Sequence, residues 1–216
     1  MSATSKRSPN LSEPVPETGT PETSRRDLLG RGLVAGAALA GGLTLLGRRP
    51  RGAEAAAPSQ AQDQVIFNFA LLLEYLQAAF YGEVLAHGRL TGEIRQFAEV
   101  VAGHERAHVD YLRRALGSRA RAKPAFTFGD ATRQERKFLD AAVLLENTGV
   151  AAYNGQAANL TKKSLAAAAE IVSVEGRHAA WISDLAGKPP APHAADLGAP
   201  AAEVVRTLKQ TGFLAS

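Results

Sequence analysis

One pattern of acidic and imidazole side chains occurs twice in this chain and restricts its fold more than any other feature. The segment LLLE, ending at Glu74, returns as VLLE, ending at Glu146, 72 residues later, and a tyrosine stands seven residues beyond each, at Tyr81 and Tyr153. Further on, VVAGHERAHVDY returns as EIVSVEGRHAAW at an offset of 70. That places Glu105 and His108 in register with Glu175 and His178, and Tyr111 with Trp181. Near-equal offsets mean that one hairpin unit is used twice.

From Gln64 onward apolar residues recur at three- and four-residue spacing without strand-like alternation, which predicts helices. Helix 1 is expected at about 62–86, helix 2 at about 91–116 with Gly117 as its stop, helix 3 at about 132–159, and helix 4 at about 161–186 with Gly187 as its stop. The sequence TRQE offers a capping box between Thr132 and Glu135 at the start of helix 3. Pro124 and Gly129 break the long link GSRARAKPAFTFGDA, which must cross between helices 2 and 3 with Phe126 and Phe128 free to lie over the bundle. The reading is an all-α four-helix bundle at 58–187 with one long crossover, a leader at 1–57, and a Pro-rich tail at 188–216 carrying one short helix.

Each of the four glutamates falls on the apolar face of its helix. Glu74 shares a face with Phe67, Leu71, Ala78 and Leu85, and Glu146 with Leu139, Ala142, Val150 and Ala157. Glu105 and His108 lie in the stripe of Ile94, Phe97, Val101, Leu112 and Ala115, while Glu175 and His178 lie among Ile171, Val172, Ile182 and Leu185. A buried, unpartnered carboxylate costs several kcal/mol, so four in matched register call for a common counter-charge. Two divalent cations supply it: four carboxylates balance two 2+ charges, and two neutral imidazoles complete the donors.

A Glu on each of two helices with ExxH on the other two resembles the ferritin-like superfamily, and within it the small exported ferritin-like domain proteins. The resemblance covers about residues 62–187. It implies a ferritin-like bundle with two iron or manganese ions, Glu74 and Glu146 as terminal ligands, Glu105 and Glu175 as bridges, and His108 and His178 capping one metal each. The tyrosine spacing resembles that of many ferritin-like oxidases, which implies that Tyr81 and Tyr153 bind a ligand carboxylate from outside the ligand set or supply an electron; the alternative is that each is a core residue whose hydroxyl finds any acceptor. Tyr111 and Trp181 read as packing residues.

His104, Glu105 and His108 also spell HExxH, the signature of a zinc peptidase helix. That reading requires His104 as a metal ligand and leaves EGRH unexplained, since Val174 stands where His104 would repeat. In the two-metal reading His104 is either an outer partner of a ligand carboxylate or a polar residue flanking the core.

The absence of cysteine excludes thiolate zinc sites, iron–sulfur clusters and rubredoxin-like electron entry. A single methionine, Met1, excludes the bis-methionine haem of bacterioferritins. The basic character owes much to the first 57 residues, which hold 8 of the 25 Lys+Arg and 5 of the 21 Asp+Glu, so nucleic acid is not an expected partner. That leader begins with two dozen polar, Pro- and Ser-rich residues whose composition predicts disorder. SRRDLL, with Arg25 and Arg26, then precedes an apolar run ending near Gly47 and the small residues Ala53, Ala55 and Ala57. This resembles a twin-arginine export signal. It implies passage through the twin-arginine machinery to a periplasmic or extracytoplasmic location, with the signal either cleaved or kept as an anchor.

The expected function is an oxidoreductase reacting with oxygen or peroxide at a di-metal site, with a homo-oligomer as an open possibility. The alternatives are metal binding or ferroxidase-linked storage, a structural bundle without turnover, and, more remotely, the zinc peptidase.

Overall fold

The structure, a computed structural model, describes residues 57–214; the signal residues Arg25 and Arg26 and the rest of the leader before Ala57 lie outside them. Five α-helices follow one another among the described residues: α1 (Gln60–His87), α2 (Gly92–Leu116), α3 (Glu135–Gln156), α4 (Lys162–Leu185) and α5 (Ala201–Thr211). The first four form a bundle in which α1 pairs closely with α2 and α3 with α4. α1 is long and apolar enough to cross a membrane, but 67% of its apolar window is buried in the bundle.

Local chemistry explains most boundaries. Ser59 caps α1, its Oγ accepting from the Gln62 amide at 3.3 Å. Gly117, at φ 58°, ends α2 in a conformation that disfavours other residues. α4 is capped from another helix: Asp63 of α1 accepts from the Thr161 amide and hydroxyl and from Ser164 Oγ. Burial alone would raise the Asp63 carboxyl, but these donors hold it below its ordinary value.

The start of helix 3 departs from expectation. Thr132 is wholly buried in a 3-10 turn (Gly129–Thr132), and its hydroxyl donates to Glu83 of α1 at 2.7 Å instead of capping. α3 begins at Glu135 behind Gln134, which makes no side-chain cap. The tertiary bond to α1 has taken the hydroxyl that the capping box requires.

The crossover link is fastened at both ends. Asn68 of α1 donates to the Arg119 carbonyl at 3.1 Å and accepts from the Arg121 amide at 2.8 Å. Phe126 pairs with Leu214 in an isolated bridge, and Phe128 packs edge-on against Phe80 and Phe213. The tail belongs to the core: Val204 and Leu208 of α5 and then Phe213 close one end of the bundle beside Phe80 and Phe138.

Candidate metal centre

Mid-bundle, the helices bring all six of the repeated Glu and His residues together. Each of the four glutamates is at most 1% exposed, His178 is 3% and His108 9% exposed. Two groups of donor atoms form, each lying within 4.8 Å of one another: Glu74, Glu105, His108 and Glu175 in one, and Glu105, Glu146, Glu175 and His178 in the other. Glu105 and Glu175 belong to both groups. To this shared pair each group adds one glutamate and one histidine of a single hairpin, Glu74 and His108 from α1 and α2 or Glu146 and His178 from α3 and α4. His108 Nδ1 lies 3.3 Å from Glu74 and 3.1 Å from Glu175, and His178 Nδ1 lies 3.3 Å from both Glu105 and Glu146.

The donor atoms fit a cation better than they fit one another. Both carboxylate oxygens of Glu105 and of Glu175, Oε2 of Glu146 and Nδ1 of His178 are buried without a hydrogen-bond partner. Each such group carries a desolvation penalty of about 1–3 kcal/mol or more, and metal coordination offsets it. Without a cation the cluster is balanced by protons. Burial, reinforced by the charges of neighbouring carboxylates, pushes Glu105 and Glu175 well above the usual carboxylate range. Burial would lower His108, but the carboxylates of Glu105, Glu175 and Glu74 gathered around its ring outweigh that and push it up to about 12. Burial also opposes the charged form of Glu74, yet the bond from His108 keeps its carboxyl below the ordinary value.

The two tyrosines reach across the repeat. Tyr81 of α1 donates to Glu146 of α3 at 2.5 Å, and Tyr153 of α3 donates to Glu74 of α1 at 2.6 Å. Seven residues span about 10 Å along a helix, too far for either hydroxyl to reach the glutamate of its own helix. Burial first, then the facing carboxylate, pushes both phenols well above their ordinary value, so they remain donors.

His104 reaches no carboxylate and lies in neither donor group. Its Nδ1 sits 2.9 Å from Nε2 of His178, with the two rings stacked at 5.1 Å. It is the outer partner of an imidazole, where the sequence offered either a partner for a ligand carboxylate or a polar residue flanking the core, and His104 does not join the donor groups as the HExxH ligand set requires. The reason is helix geometry: adjacent residues point about 100° apart, so the faces that turn Glu105 and His108 inward turn His104 toward α4.

Sequence reading missed Gln77. Buried three residues beyond Glu74, it donates from Nε2 to Glu146 Oε1 at 3.0 Å. Its register partner is Gly149, where an added Cβ would stand 3.2 Å from Glu175 Oε2 and 3.5 Å from Gln77 Oε1. Comparing the repeats at the third position beyond each glutamate exposes this pair. Trp181 packs on Phe97 and donates to Glu93 at 3.0 Å, while Tyr111 packs at the opposite end of the bundle.

A four-helix bundle that buries two overlapping carboxylate–imidazole groups defines a class of helical proteins able to bind metal in the bundle core. The ferritin-like domain family matches residues 62–188, more than half of the chain, and the protein belongs to that family. No curated protein matches the chain.

Proposed function

We propose that this protein is an exported di-metal carboxylate protein that holds two divalent cations, iron or manganese, and reacts with oxygen or peroxide. The observation that carries the reading is the sharing of Glu105 and Glu175 between two donor groups, with five of the six buried, unpartnered atoms belonging to the carboxylates. Glu74 and His108 would hold one ion and Glu146 and His178 the other. When bound, such a pair supplies Lewis acidity and a two-electron redox change.

The chain's own residues orient and enclose. Tyr81 and Tyr153 fix the terminal carboxylates by donating to one oxygen of each, which leaves the other oxygen for coordination. Enclosure favours a very small substrate. Tyr153 also borders an apolar cavity of about 10 Å³, lined by Ile66, Leu73, Ala152 and Leu160 among others. That is about the least space that holds a single water molecule.

Metal analysis of protein purified without air after native export, combined with oxygen and peroxide consumption, tests the reading. Two metals per chain with turnover supports it; two metals without turnover would assign the site to storage or structure. Replacing Arg25 and Arg26 by lysine is expected to strand the chain in the cytoplasm, because the twin-arginine address is read by a receptor and does not depend on charge alone. Normal export of that variant would remove the export element.

A further inference from the structure

The repeat makes the six donors symmetric, but their surroundings are not. At one end of the cluster Glu146 accepts from both Tyr81 and Gln77, and His178 has its outer nitrogen against His104. At the other end Glu74 accepts from Tyr153 alone outside the donor set. The position equivalent to Gln77 is Gly149, which has no side chain, and the position equivalent to His104 is Val174, which has no hydrogen-bonding group. Among the described residues no side chain hydrogen-bonds Nε2 of His108, and His108 is the most exposed of the six.

These differences act in one direction. Partners behind a ligand fix its orientation, and losing one commonly lowers metal affinity about 10- to 100-fold. His104 does this for one imidazole only: with a metal on His178 Nδ1, the imidazole hydrogen would sit on Nε2, 2.9 Å from His104 Nδ1, which would accept it. Gln77 does it for one carboxylate only, donating to Glu146 from the helix position whose equivalent in the other hairpin is Gly149.

Resting on the two-metal reading, we propose that the two positions are unequal and fill in order. The Glu146–His178 position, positioned by Gln77 and His104, holds a tightly bound resident ion; the Glu74–His108 position holds a weaker, exchangeable ion. The more exposed histidine belongs to the exchangeable position, which is therefore the side at which small molecules and incoming metal arrive.

Manganese(II) titration of the metal-free full chain, followed by calorimetry and electron paramagnetic resonance, tests the order. Two steps are expected, with dissociation constants at least about 10-fold apart. At one equivalent the spectrum should be that of isolated manganese(II), and at two equivalents that of a coupled pair. His108→Ala should keep one ion at the tight constant, and His178→Ala one ion at the weak constant. Where an alanine variant loses its helical circular dichroism, the glutamine variants His108→Gln and His178→Gln take its place.

Within the His108→Ala background, adding His104→Ala or Gln77→Leu should weaken the remaining ion about 10-fold or more, and His104→Gln, which restores an acceptor, should recover part of the loss. In the His178→Ala background the same changes should have little effect. Equal wild-type constants, or a coupled spectrum from the first equivalent onward, overturn the proposed order while leaving the two-metal reading intact. A chain that takes up no manganese and no iron overturns both.

Discussion

The aromatic end of the bundle and its polar centre are buried alike, yet opposite forces close them. At the end, Phe80 stacks on Phe138 at 5.5 Å, and Phe128 and Phe213 meet it edge-on and offset. Each contact there is favourable on its own, since it removes apolar surface from water. At the centre, four carboxylates face two imidazoles and most of their oxygens have no partner. That region opposes folding until protons or cations neutralise it. The contrast teaches where function resides: the end holds the helices together, and the stability it contributes lets the centre keep an unfavourable charge cluster ready for metal.

The largest effect should come from breaking the supportive region. Phe128→Ala should destabilise the protein by about 3–5 kcal/mol in denaturant unfolding, as large-to-small aromatic changes do, with metal content per folded chain unchanged. Metal loss in the folded fraction would mean that the two regions are coupled.

Breaking the centre should do the reverse. Glu175→Leu keeps the volume and removes one of four mutually repelling carboxylates, so the metal-free protein should be as stable as wild type or more so. Metal content should fall well below two per chain because a shared carboxylate is gone. His178→Ala should also lower it, whereas His104→Ala should retain most of the metal. The opposite order of damage would restore the HExxH reading.

A pH titration sharpens the same contrast. In the metal-free protein Glu105, Glu175 and His108 bind protons more tightly when folded than their ordinary values of 4.5 and 6.5 imply. Their contribution is full below those ordinary values and is lost as pH rises through the folded ones, toward about 12 for His108. The melting temperature of the metal-free chain should therefore fall between about pH 5 and about pH 9. Glu74 and Asp63 shift the other way, so their contribution is lost only as pH drops below the usual carboxylate range. Metal displaces the protons, so loading should flatten the slope and metal affinity should rise with pH. An unchanged slope after loading would show that the metal does not bind at this cluster.

The smallest change tests packing at the boundary. Gly149→Ala gains up to about 1 kcal/mol of helix propensity but brings a methyl to 3.2 Å from Glu175 Oε2. Stability should change little while metal affinity drops measurably by calorimetry; unchanged affinity would show that Gln77 and Glu175 adjust freely.

The sequence by itself determined the hairpin repeat and the six Glu and His residues that meet mid-bundle. Helical periodicity and matched offsets are local properties, and an inward carboxylate is conspicuous wherever it occurs. The stops at Gly117 and Gly187 were legible too, because a left-handed residue needs only its own backbone. Tertiary structure decided which partner each polar group would take. Thr132 had a local capping choice and took Glu83, and Asp63 caps a helix about 100 residues away in sequence. Tyr81 and Tyr153 exchange glutamates between hairpins, and Gln77 reaches Glu146 across the same gap. A hydrogen bond is short and directional, so its partner depends on which helices lie side by side at that level, and spacing along one helix carries no record of its neighbours.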